Sequence, residues 1–249
     1  MPTDEGTGMS ADELEEFATN LAHMARDLLA QESVQKTLDR LVDYAVELVD
    51  GCEAAGVMTV ENGQVRTLST SGDLVRVSDH VQSELGEGPC FDAARTPKEV
   101  YRIADMTETV ERWPRYAPEA RKLGVGSMMG FLLYTEDDNL GALDLYSSTP
   151  NAFTQRSEHV GWLLASHAAV AFSTARTYAQ LNAAMESRHS IGEAIGIVME
   201  RYDLDEDRAF AVLKKSSQDR NTKLREIVRT VTETGEIPGA KPRSPGQNS

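Results

Sequence analysis

Between Thr154 and Met185 the chain carries an apolar stripe that one long helix satisfies. Val160, Leu164, His167, Ala171, Thr174, Tyr178, Leu181 and Met185 recur at strictly alternating spacings of four and three. This period lines one face of a helix. So narrow a seam suits coiled-coil-like pairing, which His167 and Thr174 weaken. Residues 12–29 repeat the pattern with Leu14, Phe17, Leu21, Met24 and Leu28. We read both stripes as dimerisation seams and expect a homodimer. The competing reading is that they cover the chain's own sheet.

Between the two stripes the period changes. A second helix starts near Ser33, a candidate N-cap, and carries Val34, Leu38, Leu41, Ala45 and Leu48 before Asp50-Gly51 stops it. Short segments rich in β-formers follow at 54–60, 65–69, 99–104, 126–135 and 139–147, bounded by Glu61-Asn62-Gly63 and Glu136-Asp137-Asp138-Asn139. The last two segments predict a hairpin. Helical stretches near 73–85 and 115–123 intervene, so the fold class is α+β, an antiparallel sheet with helices packed on it.

Beyond Met185 three short helical patterns occupy 187–202, about 205–217 and 222–234, with Asp205 and Thr222 as N-caps and Gly235 as the terminator. Ile191, Ile195, Val198, Phe210, Leu213, Leu224, Ile227 and Val231 fall at helical spacings and form the expected core. Gly196 in mid-helix costs about 1 kcal/mol relative to Ala, so helix packing or backbone approach to a ligand is required of it. The expected organisation is a disordered start (1–10), a first domain with its flanking helices (11–180), a helical domain (181–235) and a disordered tail rich in Pro, Gly and Ser (236–249).

Charge divides the chain at the same place. The overall net charge is −15, but residues 1–175 hold 13 Lys/Arg against 29 Asp/Glu, whereas residues 176–235 hold 10 of each. Acidity therefore belongs to the first domain. Between 214 and 229 stand Lys214, Lys215, Arg220, Lys223, Arg225 and Arg229 against Asp219 and Glu226, a local net of +4. Such a stripe suits phosphate contact. The start of the chain is polar and acidic, and no apolar run approaches a membrane helix, so a cytoplasmic protein without a membrane partner is expected. Cys52 and Cys90 share no CxxC spacing and are read as free thiols. None of the five histidines shows metal spacing with another.

The C-terminal segment closely resembles the ANTAR family through Arg188, Ile191, Ala194, Gly196, Ile197, Val198 and Met199, continuing through Ala209, Phe210, Leu213, Ser217, Asn221, Lys223, Leu224, Arg225 and Ile227. Glu193 and Ile195 stand where relatives often carry Gln and Lys or another polar residue, and Val228 stands where Ala is usual. Residues 33–180 resemble GAF domains found beside ANTAR modules in actinobacteria, through Gly51-Cys52-Glu53-Ala54-Ala55-Gly56-Val57, Glu84-Leu85-Gly86-Glu87-Gly88-Pro89-Cys90, Arg112-Trp113-Pro114 and Gly141-Ala142-Leu143-Asp144-Leu145-Tyr146-Ser147. These resemblances imply a GAF sensory domain, a long helix and a C-terminal three-helix ANTAR domain. They further imply a regulator that binds paired RNA stem-loops and promotes transcription antitermination.

On that reading Lys214, Arg220, Asn221, Lys223 and Arg225 form the RNA surface. The sensory half takes an unnamed small molecule, and its cofactor is unknown. Candidate ligand residues are Cys90, at the start of a helix that would favour its thiolate, and Tyr134, Asp144 and Tyr146 on the terminal strands. A DNA-binding helical regulator is the alternative, because three short helices also build a helix-turn-helix. A GAF-type enzyme is the weaker one: no nucleophile-and-base signature is present, and reductases of this type would be expected to use more cysteines.

Overall fold

The computed structural model describes residues 11–61, 64–89, 92, 100–135 and 139–239. It divides into two compact units, Met1–Thr177 and Tyr178–Ser249. The expected disorder of 1–10, and of the tail beyond 239, lies outside the described residues.

In the first unit, helices α1 (Ala11–Leu29) and α2 (Val34–Leu48) precede strands β1 (Ala54–Glu61) and β2 (Gln64–Thr70). Helix α3 (Asp73–Leu85), strand β3 (Val100–Ile103), a short 3-10 turn (Met106–Thr109) and helix α4 (Tyr116–Lys122) follow. Strands β4 (Ser127–Tyr134) and β5 (Asn139–Ser147) then lead into helix α5 (Gln155–Tyr202). The local signals operate as their chemistry requires. Ser33 accepts the Lys36 N–H at 3.2 Å and caps α2, and Gly86 ends α3 in the left-handed region.

The five strands form one antiparallel sheet in the order β2-β1-β5-β4-β3. Both faces of its central strands are buried. Ala55, Val57, Met129, Phe131, Leu133, Leu143 and Leu145 meet Met24 and Leu28 of α1, Leu38, Leu41, Val42 and Ala45 of α2, and the first half of α5. On the opposite face Ala54, Met128 and Tyr146 meet Val75 of α3 and Tyr116, Ala117 and Ala120 of α4. Small residues set how closely α5 lies on the sheet: a Cβ at Gly161 would collide with the Phe131 ring.

The long stripe therefore serves two purposes. Val160, Leu164 and Ala171 are buried against the sheet, as are Met24 and Leu28 of α1, with Phe17 and Leu21 half-buried beside them. Leu164 is fully buried, so it belongs to the core and not to an intermolecular seam. Tyr178, Leu181 and Met185 remain exposed at 63%, 59% and 68%. The competing reading is thus right for the first half of the stripe, and only 178–185 keep the character of a seam.

In the second unit, the pattern at 187–202 is not a separate helix: it is the end of α5, which runs unbroken for 48 residues. Helices α6 (Glu206–Asp219) and α7 (Leu224–Thr234) complete the unit. Asp205 caps α6 by accepting the Arg208 N–H at 2.8 Å. Thr222 does not cap α7. Lys223 occupies that position without a side-chain bond, while the Thr222 hydroxyl donates to the Arg220 carbonyl.

Ala194, Val198, Ala209, Leu213, Ile227, Val228, Val231 and Ile237 form the core of this unit, with Ile191, Ile195 and Leu224 partly buried against it. Phe210, expected inside, is 38% exposed, because the α6 stripe that turns inward runs through Ala209, Leu213 and Ser216. Gly196 meets no neighbour that a Cβ would strike among the described residues, so packing within the unit does not account for it. Ile237, assigned by composition to the tail, is 4% exposed. The Ser216 hydroxyl donates to the Pro238 carbonyl at 2.9 Å, so the ordered segment extends past Gly235.

Truncating Leu164 tests the assignment of the stripe. Leu164→Ala should destabilise the chain by about 2–5 kcal/mol, read from urea unfolding midpoints, through the cavity it leaves under the sheet. A loss below about 1 kcal/mol would place the residue at a solvated seam.

Candidate functional site

Two regions of the structure gather chemistry, one in each unit. In the first, polar side chains collect between α3 and the sheet. Asp79 of α3, 3% exposed, accepts the Thr67 hydroxyl at 2.6 Å and the Tyr146 hydroxyl at 3.4 Å. Burial pushes its carboxyl up to about 6, outweighing the two hydrogen bonds that favour the charged form. Two residues from Tyr146 along β5, and so on the same sheet face, the buried Asp144 accepts the Tyr101 hydroxyl. The Tyr101 ring lies over Gly130, where a Cβ would collide with it. Nearby, Ser78 and Tyr116 share a hydrogen bond of 2.8 Å, and the Tyr116 hydroxyl reaches Met128 Sδ.

Asp144 and Tyr146 therefore stand together as β5 neighbours on one face, whereas Tyr134, near the end of β4, is 42% exposed. Cys90 lies outside the described residues. Asp79, Tyr101 and Tyr116 were missed by pattern reading. For Asp79 the available signal was the α3 stripe of Val75, Ser78, Asp79 and Gln82, an apolar-type spacing occupied mainly by polar residues. Cys52 is buried beside its acceptor, the Ala54 carbonyl, and desolvation pushes its thiol up to about 12. A thiol held in that state is a poor nucleophile. Among the described residues no group of His, Cys, Asp and Glu could hold a metal ion.

In the second unit Arg220 and Lys223 lie at the α6–α7 junction, with Lys214 and Lys215 on α6 before it and Arg225 and Arg229 on α7 after it. The junction is tied by backbone bonds from the Arg220 N–H to the Ser216 carbonyl, from the Asn221 N–H to the Gln218 carbonyl and from the Thr222 N–H to the Ser217 carbonyl. Asn221 occupies the left-handed region, φ 49°, which its side chain tolerates better than most. This conformation gives Asn221 a backbone role besides any contact with a ligand. Lys214, Lys215, Arg220, Asn221, Lys223, Arg225 and Arg229 are all exposed. Arg229 approaches Glu233 at 3.9 Å, while Lys214, Lys215, Arg220, Lys223 and Arg225 have no carboxylate partner among the described residues. All five expected RNA residues thus fall on α6, the junction and the first turn of α7.

The family model described as the GAF domain matches residues 31–173. The chain belongs to the GAF family. A second model, the ANTAR domain, matches residues 179–231, so the GAF domain is followed by an ANTAR domain. GAF domains sense signals and ANTAR domains are RNA-binding antiterminator modules; their combination marks the chain as a regulator.

Solved structures share the fold. The GAF domain of an Acinetobacter phosphoenolpyruvate-protein phosphotransferase is 15% identical with a TM-score of 0.51, over 68% of this chain and 97% of that one. The free methionine-R-sulfoxide reductase of Neisseria meningitidis, in complex with its substrate, is 15% identical with a TM-score of 0.52, over 68% and 96%. The Stigmatella aurantiaca phytochrome photosensory core module is 9% identical with a TM-score of 0.60, over 85% of this chain and 46% of that one. At such identities the likeness concerns architecture alone. No curated protein matches the chain. No described helix is long and apolar enough to cross a membrane.

Burial of Asp79 makes stability depend on pH. Its folded-state value lies above the ordinary one of 3.8, so the native state holds the proton more tightly. The associated stability is present below pH 4 and is lost as pH rises to about 6, by roughly 3 kcal/mol. Asp79→Asn keeps the polar contacts without the proton. The wild-type minus variant difference in urea midpoint should fall between pH 4 and 6 and stay level above; a constant difference would refute the assignment.

Proposed function

We propose that this GAF and ANTAR regulator binds paired stem-loops in nascent transcripts through its C-terminal unit and promotes antitermination. The observation that carries this reading is the exposed cationic surface at the α6–α7 junction, set in a chain of net charge −15. Lysines there supply charge to phosphates, while Asn221 and Arg225 offer donors to base edges. The first 175 residues carry a net charge of −16 and repel RNA, which confines binding to the second unit.

In this reading the GAF domain receives a small molecule. The cluster of Asp79, Asp144, Tyr101 and Tyr146 supports the face between α3 and the sheet as its place, because a few convergent polar groups in an apolar setting fix a ligand's orientation. The regulator acts in the cytoplasm as a homodimer. Tyr178, Leu181 and Met185 support a second copy as the partner: their spacing of three and four exposes one apolar edge of α5. Two ANTAR units held together gain affinity for paired stem-loops through effective concentration.

Two measurements test the proposal. The triple variant Arg220→Ala, Lys223→Ala, Arg225→Ala should lose at least about tenfold in affinity for RNA hairpins, and its salt dependence should flatten by about one unit for each phosphate contact removed. Matched DNA duplexes should bind more weakly than the hairpins. Equal affinity of a folded triple variant, or tighter binding to DNA, contradicts the reading. For assembly, Leu181→Glu with Met185→Glu should give a monomer in sedimentation, because each would bury an unpaired charge at the seam. Wild-type monomer at micromolar concentration contradicts the dimer.

A further inference from the structure

The ANTAR match ends at residue 231, but the chain goes on contributing to the second unit beyond it. Past Gly235, Glu236 pairs with Arg201 of α5 at 3.2 Å, and Ile237 enters the core. The Pro238 carbonyl then accepts the Ser216 hydroxyl of α6 at 2.9 Å. The segment therefore crosses from the end of α7 back to the last turn of α6. It brings Gly239 beside Arg220: a Cβ on this glycine would stand 2.9 Å from Arg220 Nη1. A buried isoleucine and a hydrogen bond thus fix where residues 240–249 leave the unit. Their charged side chains are Lys241 and Arg243, with no acid among them. These two stand two and four residues beyond Gly239. A chain extends at most about 3.6 Å per residue, so in any conformation their Cα atoms lie within about 7 and 14 Å of that exit point.

We infer that residues 240–243 are a cationic arm of the RNA surface, in which Lys241 and Arg243 meet the phosphates next to the one held at Arg220. The inference rests on the RNA-binding reading above and extends its surface past the ANTAR match. Charge selects a polyanion. Residues 214–229 already carry a net charge of +4, and the tether holds two further cations beside Arg220. The acids that precede the exit in sequence face other partners: Glu233 approaches Arg229 at 3.9 Å, and Glu236 pairs with Arg201. Like charges confined this closely repel one another, and a phosphate backbone, with its charges in series, relieves the repulsion. Anchoring by Ile237 makes each added contact intramolecular once Arg220 is engaged, so the arm acts at a high effective concentration.

The test uses the full chain and the tightest-binding RNA hairpin from a pool with a randomised loop. The double variant Lys241→Ala, Arg243→Ala changes nothing in the core, so its thermal midpoint should match that of the wild type. It should bind the hairpin more weakly, with a salt slope flatter by about 1.4–1.8, the share of two phosphate contacts. The advantage of the wild type should therefore be about 7- to 12-fold larger at 50 mM salt than at 200 mM. Exchanging the two cations, Lys241→Arg with Arg243→Lys, should retain affinity, because the contacts need charge. A footprint on the wild-type protein locates the arm directly. Bound hairpin should protect Lys241 from acetylation by an N-hydroxysuccinimide ester and leave Lys36 and Lys122 of the first unit reactive. If the wild type binds the hairpin while the alanine variant shows the same affinity and salt slope, the arm is overturned and the RNA-binding reading stands. Tighter binding by the alanine variant also overturns it, since the two cations would then be occupied by acids of the chain itself. If the wild type binds no hairpin of the pool, both the inference and the reading beneath it fail.

Discussion

Everything in the first unit depends on covering both faces of one antiparallel sheet. Residues 127–133 and 140–147 alternate between two buried sides, so a single helical layer would leave half of the sheet's apolar surface in water. Helices α1, α2 and the start of α5 cover one side with mainly apolar contacts, to which Gln35 and Asp39 of α2 add hydrogen bonds with β2. On the other side α3 and α4 bring Ser78, Asp79 and Tyr116 into the interface as well. The polar groups collect where the helical layer is less apolar, and burial raises the carboxyl of Asp79 there. The candidate ligand face and the pH dependence of stability share this origin.

A different economy governs the second unit. Its core is small, built from two alanines, one leucine and β-branched residues. The cations are consequently displaced to a short junction whose backbone is closed by local hydrogen bonds, with Asn221 taking a conformation few side chains tolerate. Substituting Asn221 by Ala would strain that turn as well as remove a donor. Glycine at 221 is the cleaner change, since it keeps the left-handed backbone.

Much of the architecture was legible because it follows from period and punctuation. The five strands, the helix capped by Ser33 and the stop at Gly235 rest on local chemistry that tertiary packing does not override. Three features were not legible. A stripe at 3/4 spacing looks the same whether it faces its own sheet or another chain, so Leu164 and Leu181 read alike until the sheet is in place. Phe210 sits one position from a buried Ala209, and a helical wheel resolves the edge of a stripe poorly. Thr222 has the chemistry of a cap, but its hydroxyl is engaged by the Arg220 carbonyl of the preceding turn. For the sites, the cationic run was visible as composition. The cluster around Asp79 needed α3, β2 and β5 to be brought together.

The central claim is a division of labour: the ANTAR unit meets RNA and the GAF unit does not. Hydrogen exchange of the full chain, with and without a saturating RNA hairpin, tests it most directly. The account predicts slowed exchange over residues 210–229 and unchanged exchange in β1, β4 and β5. Slowed exchange confined to residues 31–173, or none at 210–229 when the hairpin is bound, would contradict it.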